Sequence, residues 1–438
     1  QINVPRDFWT QVIDIELPPI VRFERQGGGK DAVDRAAKLL SEAKFPVILS
    51  GAGVVIGDAI DDCKKLAEKL DAPVCNGYQH NDSFPGSHPL AVGPLGYNGS
   101  KAAMELISKA DVVLALGTRL NPFSTLPGYG IDYWPKDATI IQVDMNPDRI
   151  GLTKKVTVGI CGDAKMVSQQ ILEKLSPNAG DIGREERKNL IHKTKSAWLQ
   201  TLTSLDHEDD DPGTVWNKEA RERDSDRMSP RQAWRAIQAG IPDDVIISSD
   251  IGNNCAIGNA YPTFEKPRKY LAPGLFGPCG YGFPSILGAK IGCPDTPVIG
   301  FAGDGAFGIS MNEMSSCARE EWPAITMVIF RNYQWGAEKR NSILWFDDNF
   351  VGTELDPELS YAKVANACGL KGVSVKTMEE TTAAIKKSCE DQKKGITTFI
   401  EVILNQELGE PFRRDAMKKP VEVAGINKND MKPQKSLS

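Results

Sequence analysis

The stretch Gly303–Asn332, GDGAFGISMNEMSSCAREEWPAITMVIFRN, places an acid between two glycines and an asparagine one helix and one strand later. The run PVIGFAGD that leads into it is apolar enough for a buried strand ending at Asp304. Ser310 and Glu313 form an S-x-x-E signature that predicts the start of the following helix. Trp322-Pro323 stops that helix, and ITMVIF reads as a second buried strand ending at Arg331-Asn332. A strand, a crossover and a parallel strand form one right-handed β-α-β unit. Adjacent strands lie about 5 Å apart. Asp304 and Asn332 should therefore face one crevice beyond the carboxyl ends of the sheet, where open α/β sheets bind ligands.

Those two side chains suit a single hard cation. Aspartate supplies a charged oxygen and asparagine a neutral one, and Mg2+ takes few protein ligands and completes its shell from phosphates and water. Gly303 and Gly305 allow the backbone to approach a phosphate, and exposed amides near the helix start favour an anion. Alone, the tripeptide reads better as a turn after a strand. Its spacing to the asparagine is what points to a metal-diphosphate clamp.

Outward from this unit, short apolar runs alternate with helical patterns. FPVILSGAG, DAPVCNG, ADVVLALGTRL and ATIIQVDMN read as strands in one half, and DDVIISSD, PVIGFAGD, ITMVIFRN and TTFIEVIL in the other. The expected fold class is α/β, with two doubly wound parallel-sheet domains. The expected division is an end of a preceding domain plus linker at 1–30, a central α/β domain at 31–176, a charged helical linker at 177–228, a second α/β domain at 229–426 and a polar tail at 427–438. The acidic run with His207 reads as a solvated loop. Gln1 is not an initiator methionine, and QINVPRDFW reads as a strand leaving a domain, so the 438 residues are expected to be a fragment.

A net charge of −6 gives no broad basic surface, so neither nucleic acid nor an anionic membrane is an expected partner. No apolar run reaches the length of a membrane span. Nine cysteines, odd in number and without a C-x-x-C pair, fit a reducing cytoplasm.

The G-D-G with its distant asparagine resembles the thiamine-diphosphate fingerprint. That resemblance implies thiamine diphosphate and Mg2+, with the metal held by Asp304, the Asn332 side chain and the Gln334 backbone carbonyl, and with Gly303, Gly305 and Ala306 beside the diphosphate. Arg331 departs from the usual pair of asparagines. SSDIGNNCAIGN is similar to the segment that contacts the diphosphate, which implies Gly252, Asn253 and Asn254. APGLFGPCGYGFPSILGAK is similar to the segment that holds the aminopyrimidine ring, which implies Gly277 and Cys279; a cysteine is smaller than the apolar prop usual there.

The whole chain resembles the middle and pyrophosphate-binding domains of the acetohydroxyacid-synthase-like group. RNYQWGAEKRNSILWFDDNFVGTEL and PFRRDAMKKP resemble the sulfoacetaldehyde acetyltransferase family within that group. The resemblance implies sulfoacetaldehyde and phosphate as substrates, acetyl phosphate and sulfite as products, and a homo-oligomer of at least two subunits. Both substrates are anions, so Lys339, Arg340, Arg413 and Arg414 are candidates to bind them. The resemblance also implies that the glutamate which activates the cofactor sits in an N-terminal domain, so no residue here is assigned that role and the chain alone is expected to turn over poorly or not at all. The alternatives are another carboligase such as acetolactate synthase, or a cofactor-binding subunit that needs a partner domain. SGAGVVIG and LGTRLN resemble nucleotide-fold turns but lack the full dinucleotide spacing, and FAD is not expected there.

Overall fold

The computed structural model describes residues 3–21, 24–204, 214–274, 276–346 and 348–408. Two six-stranded, all-parallel sheets form its framework. The first contains β1 (Pro46–Ser50), β2 (Val74–Asn76), β3 (Ala91–Pro94), β4 (Val112–Leu116), β5 (Thr139–Asp144) and β6 (Val158–Cys161), in the order β3-β2-β1-β4-β5-β6. The second contains β7 (Ile246–Ser249), β8 (Tyr270–Leu271), β9 (Val298–Gly303), β10 (Thr326–Arg331), β11 (Lys371–Val375) and β12 (Thr398–Ile403), in the order β11-β12-β10-β9-β7-β8.

The central strands β1, β4, β10 and β12 are buried along their whole length. This is the pattern of a parallel sheet covered on both faces, and it is why they stand out as continuous apolar runs. In the second sheet one face packs Trp234, Ile237 and Ile385 against Phe301, Phe330 and Val402. The other packs Phe283 and Ile286 with Phe307 and Phe399. The edge strands were harder to read. β6 alternates buried and exposed, β8 has two residues, and β11 (KGVSV) is only partly covered, so none carries a long apolar run.

One local expectation fails. The helix after β9 begins at Asp304 itself and runs to Ser310, followed by a 3-10 turn at Met311–Glu313 and a short helix at Met314–Cys317. The Ser310 side chain caps nothing, and its hydroxyl is buried without a partner. Gly303, in extended conformation, is the residue before the helix. The chain turns into the crossover at the strand tip, and an acid in the first turn suits the positive end of a helix. The S-x-x-E pattern falls where the crossover changes from α to 3-10 geometry.

The charged segment forms the helix Arg184–Ser204, which is pinned at both ends. Near its start Arg187 is completely buried. It donates to the carbonyls of Asp71 (2.9 Å), Lys44 (2.6 Å), Ile182 (2.9 Å), Leu70 (2.9 Å) and Gly180 (2.7 Å). Near its end Trp198 and Leu202 enter the core of the second sheet. The two sheets also meet directly. Asn81 donates to the carbonyls of Asn259 (2.8 Å) and Pro262 (2.9 Å), and the Lys269 amide donates to Asp82 at 2.9 Å. Among the described residues no helix is long and apolar enough to cross a membrane.

Replacing Arg187 with methionine keeps most of the volume but strands five carbonyls, two of them in fully buried hydrogen bonds. Hydrogen bonds to a charged group contribute about 1.5–3 kcal/mol each. Urea unfolding should show Arg187→Met less stable by more than about 3 kcal/mol.

Candidate active site

The order of the second sheet reverses between β7 and β9, and ligands of open α/β sheets bind at such a reversal. Three chain segments leave their strands there. β9 ends at Gly303 and β10 at Arg331, with Phe330 paired to Gly303, so Asp304 and Arg331 emerge side by side.

Asp304 is buried to 1% exposure. Its Oδ2 accepts from Arg331 Nη1 at 3.1 Å and from the Tyr333 amide at 2.6 Å, and its Oδ1 accepts from the Gly305 amide at 3.0 Å. Burial pushes the carboxyl up to about 6, although Arg331 and the two amides pull it the other way. Arg331 is itself held by the carbonyls of Asp356 and Leu359 and lies over the ring of Tyr333. Tyr333 takes a left-handed φ of 60°, a conformation that side chains other than glycine seldom adopt. That turn brings its amide onto Asp304.

The loop continuing from Asn332 is stapled to a second segment. The Trp335 amide donates to Thr353 O at 2.7 Å, and the Leu355 amide to Tyr333 O at 2.9 Å. Asn332 and Gln334 are both buried. Gln334 Nε2 donates to Gln406 O at 3.1 Å, but Gln334 Oε1 is a buried acceptor without a partner, and so is Asn254 Oδ1.

The opposite wall comes from β7. Gly252 has φ +113° and opens a short helix at Asn253. Asp250, which sequence reasoning passed over, accepts from the amides of Gly280 (3.2 Å) and Gly282 (2.7 Å) and so ties this turn to the segment carrying Gly277 and Cys279. Every residue expected to hold cofactor or metal lines one cleft: Gly252, Asn253, Asn254, Gly277, Cys279, Gly303, Asp304, Gly305, Ala306, Asn332 and Gln334.

The two glycines of G-D-G do different work. A Cβ on Gly303 would meet nothing within 4 Å, which leaves that backbone open to a ligand. A Cβ on Gly305 would lie 2.8 Å from the Trp335 ring, so this glycine is there to seat the indole against the helix start.

The donor set fits a divalent cation bridged to a diphosphate. It offers one carboxylate and amide oxygens, two of the latter buried without a partner, and no group of three or more His, Cys, Asp or Glu side chains gathers anywhere among the described residues. A hard cation that draws its remaining ligands from phosphate and water needs no more.

Of the candidate substrate cations, Lys339 is buried and paired with the Glu354 carboxylate. Arg340 is buried and donates to the Tyr97 hydroxyl at 2.6 Å. Arg413 and Arg414 lie outside the described residues. In the first sheet, the Gly53 amide donates to Gly117 O at 2.8 Å, and a Cβ on Gly53 would lie 2.6 Å from Gly117 Cα. The close approach of these two turns accounts for their glycines.

Residues 33–175 match the profile of the thiamine pyrophosphate enzyme central domain, and residues 250–402 that of the thiamine pyrophosphate enzyme C-terminal TPP binding domain. Fold, cleft and profiles together define a thiamine-diphosphate enzyme. A probable sulfoacetaldehyde acetyltransferase of Rhizobium meliloti is 78% identical over 437 residues, covering 100% of this chain and 74% of the relative. The sulfoacetaldehyde acetyltransferase of Roseovarius nubinhibens is 74% identical over 434 residues, covering 99% of this chain and 72% of the relative. An acetolactate synthase large subunit of Corynebacterium glutamicum is 27% identical over 438 residues, covering 98% and 65%. The chain belongs to the sulfoacetaldehyde acetyltransferase family and spans about three quarters of the length of those two relatives.

The raised carboxyl of Asp304 has two consequences of opposite sign. The folded chain holds this proton more tightly than the unfolded chain, so its contribution to stability is present below the ordinary value of 3.8 and is lost as pH rises through about 6. A bound cation needs the ionised form, so magnesium affinity measured by calorimetry should fall as pH is lowered through about 6. Replacing Gly305 with alanine should displace Trp335 and raise the thiamine diphosphate concentration needed for half-saturation by about fivefold to a hundredfold, as overpacking of about 1–3 kcal/mol implies.

Proposed function

We propose that the chain converts sulfoacetaldehyde and phosphate to acetyl phosphate and sulfite. The carbon-sulfur bond breaks and sulfite leaves with its electron pair. The aldehyde carbon rises to the acyl level while its neighbour becomes a methyl group. A phosphate oxygen forms the new bond to the acyl carbon. The change is internal, so the balance needs no external oxidant.

Thiamine diphosphate supplies the nucleophilic carbon and the electron sink for this chemistry. The chain's own part is to hold and orient it. Asp304, Asn332 and Gln334 would hold Mg2+, and Gly303, Ala306 and the turn Gly252–Asn254 would receive the diphosphate. Gly277 and Cys279 would border the ring end. Asn253 would act through its main chain, because its side chain is engaged by Tyr97 and Gly336. Lys339 and Arg340 are each tied to a neighbour, so they would contribute positive field near the cleft and frame it, with Arg413 and Arg414 as the further cationic candidates. The observation that carries the reading is the meeting of Asp304, Asn332 and Gln334 with the 252–254 turn in one cleft at the sheet reversal.

The reading extends to organisation. Domains at 31–176 and 229–426, joined by the 177–228 segment, would work in a homo-oligomer of at least two copies. Nine free cysteines fit a reducing cytoplasm.

Asp304→Ala should abolish magnesium-dependent thiamine diphosphate binding and lower sulfite release by more than about a hundredfold, as expected for loss of a metal ligand. With the domain that carries the activating glutamate present, sulfite and acetyl phosphate should appear from sulfoacetaldehyde and phosphate. Acetolactate from pyruvate in their place would overturn the assignment.

A further inference from the structure

Tyr97 lies in the first domain, on the loop after β3, yet its hydroxyl reaches the cofactor cleft of the second. It receives a hydrogen bond from Arg340 Nη1 at 2.6 Å and donates to Asn253 Oδ1 at 3.1 Å. Asn253 Nδ2 in turn donates to Gly336 O at 2.9 Å. Gly336 and Arg340 sit one turn apart on the helix Gly336–Trp345, so the three bonds close a ring. The ring joins the diphosphate-side turn to the helix that continues directly from the metal loop. Its only member from outside the second domain is Tyr97.

The loop that carries Tyr97 is built to hold it still. Gly96 has φ +83°, and a Cβ there would overlap Phe123 O at 1.8 Å. The Tyr97 amide donates to Phe123 O at 3.1 Å, and Tyr97 O accepts from Asn259 Nδ2 at 3.2 Å. The Arg340 guanidinium also lies over the Tyr97 ring, 5.4 Å from its centre. The Gly336 carbonyl, which can only accept, sets the amide orientation of Asn253, and the Tyr97 hydroxyl, accepting from Arg340, donates to the amide oxygen on the other side. If that amide turned over, Asn253 would present a donor to Tyr97 and an acceptor to the Gly336 carbonyl.

We propose that Tyr97 is a positioning residue for the cofactor site, through which the central domain holds the metal loop and the diphosphate turn at their working separation. It touches neither metal nor diphosphate. It acts by fixing Asn253 between the two walls of the cleft. The central domain is then part of the assembly of the site as well as a neighbour of it. This inference rests on the cofactor reading given above.

The test is titration calorimetry of thiamine diphosphate into the full chain at saturating magnesium, alongside steady-state rates measured with the domain that carries the activating glutamate present. Tyr97→Phe keeps the ring and removes the hydroxyl. The half-saturating cofactor concentration should rise about fivefold to tenfold, the effect of one or two lost hydrogen bonds. At saturating cofactor kcat should stay within about twofold of the parent, because excess ligand recovers the assembled cleft. Arg340→Met should raise the same constant, and the double variant should be no worse than the poorer single one, since both break one ring. A purely structural tyrosine would lower the melting temperature and leave the cofactor constant unchanged, and that result overturns the proposal. Additive effects of the two substitutions overturn it as well. Should Tyr97→Phe fail to fold, Arg340→Lys, which keeps a donor for the hydroxyl, should fall between the parent and Arg340→Met; equality with the parent for both Arg340 variants counts against the ring. If the unaltered chain shows no magnesium-dependent binding at all, the cofactor reading itself fails and this inference falls with it.

Discussion

The cleft depends on a carboxylate buried at a strand tip and kept there by a neighbouring arginine. Asp304 is 1% exposed, and a lone carboxylate so placed would be driven to its neutral form. Arg331 offsets part of that cost at 3.1 Å, and two amides donate to the same carboxylate. Arg331 has its own anchors in the carbonyls of Asp356 and Leu359, and Glu401 approaches its Nε at 3.8 Å. Tyr361 closes the group by donating to Asp304 O at 2.8 Å. The tips of β9, β10 and β12 are thereby joined in one polar cluster. The departure from an asparagine pair at position 331 is therefore part of this chain's construction, because the arginine supplies a positive charge before any metal is present.

That cluster would be of little use in a loose frame. The second sheet is buried on both faces, and Trp234 donates through its indole to Asn254 O at 2.6 Å, so core packing reaches directly into the diphosphate turn. A Cβ on Gly258 would lie 2.1 Å from the same indole, which leaves the short helix after Gly252 only one seating. Arg187 performs the corresponding task for the first domain, where one guanidinium gathers five carbonyls from three separated loops. Charged residues read as a linker from composition turn out to brace both cores.

Legibility in the sequence followed burial. Strands buried on both sides, such as VVLAL in β4 and TMVIFR in β10, announced themselves by unbroken apolar runs. Strands at the sheet edges did not, because KGVSV or VGIC buries too little to differ from a loop. The S-x-x-E pattern misled because it is a local signal, whereas the helix start at Asp304 was decided by where β9 had to end. Asp250 and Tyr97 were missed for a related reason. Their roles lie in which amides and side chains happen to face them, and no spacing along the chain encodes that.

By itself the sequence determined the class of the fold, the pairing of an acid and an amide at adjacent strand tips, and the resemblance that assigns the chemistry. Those properties reside in residue type and order, which hydrophobic periodicity and motif spacing record. Only the tertiary structure decided that Arg331 pairs with Asp304, that Gly305 yields its space to Trp335, and that a tyrosine from the other domain bonds to Asn253 and Arg340. Each of these is a contact between atoms remote along the chain, and such contacts exist only after the two cores have packed and fixed the distances between them.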